Sequence, residues 1–143
     1  MKKILSLFVV FSLSIGYIFA QNQINPMELP NLTQRVTDFS NTLTTSQLDD
    51  INTTAKSYED ETSNQVFVVL FPQRQGNELI DIGTKVFNEN DIGQKDKNNG
   101  LLLLISTEEK KIRIIVGYGL ESIYPDLVAS QIIENDIRPL VNK

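Results

Sequence analysis

NNGLLLLISTEEKKIRIIVGYGLESIYPD, Asn98 to Asp126, is the stretch whose reading decides the fold. It holds two apolar runs, Leu101 to Ile105 and Ile112 to Val116, whose length and branched content suit strands. The polar segment Ser106 to Lys111 joins them, so the simplest reading is an antiparallel hairpin. In a hairpin the start of the first strand and the end of the second are neighbours. Asn98 and Asn99 stand just before the first strand, and Glu121 and Asp126 just after the second, around a Gly117-Tyr118-Gly119 turn. These four oxygen-bearing side chains are therefore expected at one edge of the sheet, which makes that edge the candidate site.

Working outward, Asn88 to Gly100 is polar, contains two glycines and reads as a loop leading into the hairpin. Before it, Leu79, Ile82, Gly83, Val86 and Phe87 recur at helical spacing, with Asn77 as the expected cap. Gly83 within that stripe costs about 1 kcal/mol against alanine, which suggests close packing on the sheet. Val66 to Phe71, ended by Pro72, is a continuous apolar run expected at the sheet centre, buried on both faces. Thr44 and Gln47 stand at capping-box spacing, with Leu43 and Leu48 in the staple positions, so a helix is predicted to start at Thr44 and run to about Tyr58 to Glu61. Residues 21–37, with Pro26 and Pro30 among Asn, Gln and Thr, read as an extended lead-in. After the hairpin, Pro125 suits a first helical turn and Asp126 complements the positive helix end, with Ala129, Ile133 and Ile137 forming the apolar face. The order is helix, strand, helix, strand, strand, helix. It predicts an α/β fold, a three-layer α/β/α sandwich with a small mixed sheet.

The 143 residues, 41% apolar, suffice for one small domain. Met1-Lys2-Lys3, the uncharged and mostly apolar run Ile4 to Ala20, and then polar Gln21 have the form of a secretory signal, with cleavage expected after Ala20. An uncleaved anchor is the rival reading, because the run approaches the lower limit for a spanning helix. With the signal removed, no later segment is apolar enough to span a bilayer, and a secreted or periplasmic protein is expected. Loss of Lys2 and Lys3 takes the formal charge from −5 to −7. An acidic surface repels phosphate backbones, so nucleic acid is not an expected partner. Composition leaves the oligomeric state open.

The chain contains no His and no Cys. That removes the Ser-His-Asp triad, cysteine phosphatase chemistry, disulfides and the commonest zinc ligands. Oxygen ligands remain, and carboxylates, amides, carbonyls and water form the donor set of Ca²⁺ or Mg²⁺. Asn98, Asn99, Glu121 and Asp126 are the candidate metal ligands, and Glu121 and Asp126 the candidates for a catalytic role such as orienting a water. Neither strand nor helix propensity requires Glu121 after the Gly-Tyr-Gly turn, but the others have plainer explanations. Asp126 equally serves as a helix N-terminal charge, Asn98 and Asn99 as turn residues, and Asp91 and Asp96 as solvated loop acids. Gly117 and Gly119 are read as conformational, supplying positive φ or room for backbone approach. Tyr118 is read as packing or as a lid on the site. No Arg or Lys falls among the four candidates, although Arg113, Lys95 and Lys97 are close in sequence.

NNGLLLLIS, KIRIIVGYGLE, PDLVASQII and Arg138-Pro139 together resemble the TPM-domain family, over roughly residues 31–140. That family includes a plant thylakoid-lumen acid phosphatase, a photosystem II repair factor and a nematode receptor accessory protein. The Gly-Tyr-Gly-Leu-Glu run with Pro125-Asp126 downstream is the specific part. The resemblance implies a TPM-like domain over residues 38–143, after a signal at 1–20 and a lead-in at 21–37. It also places Asp38 where members usually carry an acid, as a further and weaker metal candidate. Two departures matter. Members carry Asp-Asn-Gly where this chain has Asn98-Asn99-Gly100, so one expected carboxylate is an amide. Members also often continue beyond the final helix, so the chain is expected to be a minimal member or one lacking a C-terminal helix. Two functions follow as expectations. One is a divalent-metal-binding or interaction module of the cell envelope, acting on other envelope proteins. The alternative is a divalent-metal-dependent acid phosphatase.

Overall fold

The structure is a computed structural model and describes residues 23–141. The expected signal and its cleavage after Ala20 lie outside the described residues. Four strands form one sheet in the order β1-β2-β3-β4: β1 Val36–Asp38, β2 Gln65–Phe71, β3 Gly100–Ser106 and β4 Lys111–Val116. β1, β2 and β3 run parallel, and β3 pairs antiparallel with β4, so the mixed sheet and the hairpin are as the sequence predicts. Helix α1, Thr45–Thr62, joins β1 to β2, and α2, Leu79–Glu89, joins β2 to β3. After β4 come a short 3-10 turn, Tyr118–Leu120, and α3, Asp126–Ile132.

Alternation along the strands sorts the two faces. Phe67, Val69 and Phe71 of β2 join Leu102 and Leu104 of β3 on one face, under Leu79, Ile82 and Val86 of α2. On the other face Ile112 and Ile114 of β4, with Leu101, Leu103 and Ile105, pack on Ala129 and Ile133 from the helix after the hairpin. α1 shares that second side, where Ala55 is buried and Tyr58 stands beside Tyr124. The α/β/α sandwich follows, because each sheet face is apolar and needs a helical cover. Gly83 of α2 lies against the Ile115 side chain, the close helix-sheet approach its position implies.

Several local details differ from the sequence reading. The lead-in is more than a linker: Pro26, in a 3-10 turn Pro26–Glu28, is buried, and Met27, Leu29 and Leu32 pack against the first core. Val36 and Thr37 belong to β1, which three residues with no periodicity could not announce. The cap of α2 is Glu78, while Asn77 donates its amide to the Arg74 carbonyl. Pro125 precedes α3 as its N-cap and Asp126 opens the helix. α3 then passes through a π turn, Ile133–Ile137, into α4, Arg138–Val141. Pro139 supplies the reason: it has no N–H for the carbonyl four residues back, and widening the preceding turn relieves its ring of that clash.

Candidate functional site

The candidate site is organised by the glycines after β4. Gly117 N–H donates to the Gly100 carbonyl at 2.8 Å, continuing the hairpin by one pair, and Gly119 N–H donates to the Asn98 carbonyl at 2.9 Å. A Cβ on Gly119 would overlap the Lys97 carbonyl oxygen, and one on Gly117 would overlap the carbonyl of Asn98. Gly117 has φ −70°, and the positive-φ residues include Asn98 at 47° but neither Gly117 nor Gly119. Of the two roles expected for these glycines, close backbone approach is the one realised, and positive φ is not. The loop 93–99 is thereby locked onto the turn that carries Glu121.

The five predicted metal candidates separate. Asn98 is exposed, next to that turn. Asn99 is buried, and its amide is committed: Oδ1 accepts from Gln94 N–H at 2.9 Å, while Nδ2 donates to the Ser63 carbonyl at 2.7 Å and to Asn64 Oδ1. It fastens the loop to the end of α1 and does not line the cleft that Glu121 lines. Asp38 pairs in register with Leu70, beside the far ends of β2 and β3, whereas the glycine turn lies beside Gly100 at their beginning. About five residues of strand, roughly 17 Å, separate the two ends, so Asp38 does not reach the site. Its carboxylate instead accepts from Ser40 N–H at 2.9 Å and from Leu43 N–H at 2.7 Å, shaping the turn into α1.

Glu121 and Asp126 come together. Both are exposed and both line one cleft of about 450 Å³, with Ile80 of α2, residues 113–116 of β4, Tyr124 and Pro125. Neither carboxylate forms an ion pair with another described residue. Arg113 lines the same cleft, which sequence spacing had placed only nearby. Its signal was legible: β4 alternates, so the arginine in KIRIIV lies on the face opposite Ile112 and Ile114. Tyr58 beside Tyr124 pushes the Tyr124 phenol above its ordinary value, and partial burial acts in the same direction. Tyr118, 82% exposed, contributes no packing. Asn98, together with Asp91, borders a separate hollow of about 190 Å³ formed by the loop and the end of α2. Among the described residues no three acidic side chains are grouped closely enough to hold a metal ion by themselves.

A mixed sheet covered on both faces and closed by this glycine turn defines an α/β domain with its open cleft at the hairpin edge. The TPM domain model matches residues 36–143, and this chain belongs to the TPM domain family. It is similar to the solution NMR structure of the N-terminal domain of a protein from P. gingivalis, with 28% identity, a TM-score of 0.76, and coverage of 85% of this chain and 81% of that one. The N-terminal domain of a protein from Corynebacterium glutamicum shares the fold, with 16% identity, a TM-score of 0.61, and coverage of 80% and 74%. No curated protein matches the chain.

Proposed function

We propose that this chain is a TPM-domain module exported to the cell envelope, either periplasmic or secreted, which binds Ca²⁺ or Mg²⁺ weakly and acts on other envelope proteins. The observation that carries the reading is the convergence of Glu121 and Asp126 on one solvent-open cleft, with no ion-pair partner for either among the described residues. The donor chemistry fits a hard cation: two carboxylates, with carbonyls and water to complete the shell, while Asn98 borders the neighbouring hollow and not this cleft. The charge fits less well, because Asn99 and Asp38 are spent elsewhere and Arg113 adds a positive charge to the cleft. Affinity no tighter than about 10⁻⁴ to 10⁻³ M follows, as in weak extracellular calcium modules. Export is supported by the Met1-Lys2-Lys3 start and the apolar run to Ala20. Among the described residues no helix is long and apolar enough to cross a membrane. Calorimetric titration of the exported protein with CaCl₂ and MgCl₂, alongside mass spectrometry of its N-terminus, tests both parts. Saturable heat and a first residue of Gln21 are expected; no heat at several millimolar cation, or a retained Met1, contradicts the corresponding part.

Arg113 favours a second reading, the metal-dependent acid phosphatase. A guanidinium lining the same cleft as two carboxylates can pair with phosphate oxygens, and a divalent ion bound there would supply charge neutralisation of the phosphate. Hydrolysis of p-nitrophenyl phosphate that needs added cation, and that falls at least ten-fold in both Arg113→Ala and Asp126→Asn, would establish this reading. Turnover unaffected by either substitution would remove it.

A further inference from the structure

The two edges of the sheet are treated differently. At β1 the outward backbone groups of Val36 are already satisfied: Val36 N–H donates to Asn52 Oδ1 at 2.8 Å, and Asn52 Nδ2 donates to the Val36 carbonyl at 3.1 Å. The α1 side chain thus stands in for a missing strand. At β4 the Gly117 to Gly100 hydrogen bond fixes the alternation, so Arg113 and Ile115 bond inward to β3, and the N–H and C=O groups of Ile112, Ile114 and Val116 face outward. This open edge forms the floor of the 450 Å³ cleft, with Ile80 of α2 as one wall and Glu121, Tyr124 and Asp126 as the other. Exposed apolar side chains, Ile123 at 59% and Leu127 at 70%, flank those acids in sequence.

We propose that this cleft receives an extended segment of another polypeptide, which adds to β4 as a fifth strand and sets a lysine or arginine side chain against Glu121 and Asp126. The proposal deepens the reading of the domain as an interaction module and rests on that part of it, not on the cation. An open edge with unpaired backbone groups is a template for strand addition, with main-chain hydrogen bonds giving affinity and flanking pockets giving side-chain selection. Charge selects the side chain: Glu121 and Asp126, with no ion-pair partner among the described residues, outnumber the one positive charge of Arg113 in the cleft of an acidic protein. A second copy fits less well, because its own β4 lies at the bottom of the same recess and two recessed edges cannot meet.

The test uses the isotope-labelled protein and a capped heptapeptide of alternating valine and threonine with a central lysine. Titration is expected to shift the amides of Ile112, Ile114 and Val116 and the resonances of Ile80 and Glu121. Methylating alternate peptide nitrogens is expected to weaken binding at least ten-fold. Replacing lysine by glutamine, or pairing Glu121→Gln with Asp126→Asn, is expected to weaken it about two- to five-fold, the range of exposed ion pairs. The proposal is overturned by no shift up to millimolar peptide, by shifts confined to residues away from β4, or by equal binding of the methylated peptide. Sedimentation showing that the free protein dimerises, with Ile114 protected in the dimer, overturns it in favour of a second copy. Failure of Ca²⁺ or Mg²⁺ to bind affects none of these outcomes, so the two readings fail separately.

Discussion

Gly119 cannot carry even a methyl group where it stands, because the Lys97 carbonyl occupies that space. Gly119→Ala must push the 93–99 loop off the turn, and a loss of about 1–3 kcal/mol is expected, the usual cost of forcing extra volume into a packed site. Urea denaturation checks it; an unchanged midpoint would mean that the loop moves freely. Glu109 carries a second residue-scale prediction. Ser106 Oγ donates to its carboxylate at 2.7 Å, and the Arg74 N–H and guanidinium approach it at 3.0 and 3.1 Å, the first of these contributing most to holding its pKa at about 2. A depressed carboxylate pKa gives stability that is present above the ordinary value near 4.5 and is lost as pH falls toward 2. Between pH 6 and pH 2.5 the parent midpoint should therefore fall more steeply than that of Glu109→Gln, and parallel curves would contradict the assignment. Sequence could not separate Asn98 from Asn99 at this scale. The two are identical and adjacent, and only the tertiary path that brings Ser63 and Gln94 to Asn99 distinguishes them.

Elements were more legible than residues wherever their signal was local. The capping box of α1 forms as written: Gln47 N–H donates to Thr44 Oγ1 at 3.2 Å, and Thr44 N–H donates to Gln47 Oε1 at 2.9 Å. Thr44→Ala should cost about 1 kcal/mol. Chemical denaturation measures it, and no loss would mean that packing alone holds the helix start. β1 was illegible because its support is remote: Asn52, sixteen residues on, supplies the donor and the acceptor that Val36 needs. Asn52→Ala should leave that buried pair unsatisfied and cost about 1–3 kcal/mol, at least as much as loss of the exposed cap. A loss below that of Thr44→Ala, in the same denaturation series, would mean that water replaces the amide without penalty. The π turn before Pro139 belongs here too, since the proline was visible and the compensating turn was not.

At the scale of the whole molecule, apolar runs of five or six residues and two helical stripes were enough to give the layers and the mixed sheet. Hydrophobic pattern determines which faces are covered, and covering is what the fold consists of. The site was legible only in part. Hairpin geometry brings Glu121 to the loop before β3, but adjacency in a hairpin does not say which way a side chain points, and the β4 edge that forms the cleft floor belongs to no motif. On the proposed reading, the cleft of Glu121, Asp126 and Arg113 is the working surface of this TPM domain, open to cations and basic side chains through one chemistry. Amide chemical-shift mapping during CaCl₂ titration of the parent, Glu121→Gln and Asp126→Asn proteins tests that claim most directly. The account predicts saturating shifts between Gly117 and Asp126 in the parent at millimolar cation, weakened in each variant; the absence of such shifts, or equal binding by both variants, would reduce the acidic pair to ordinary surface charge.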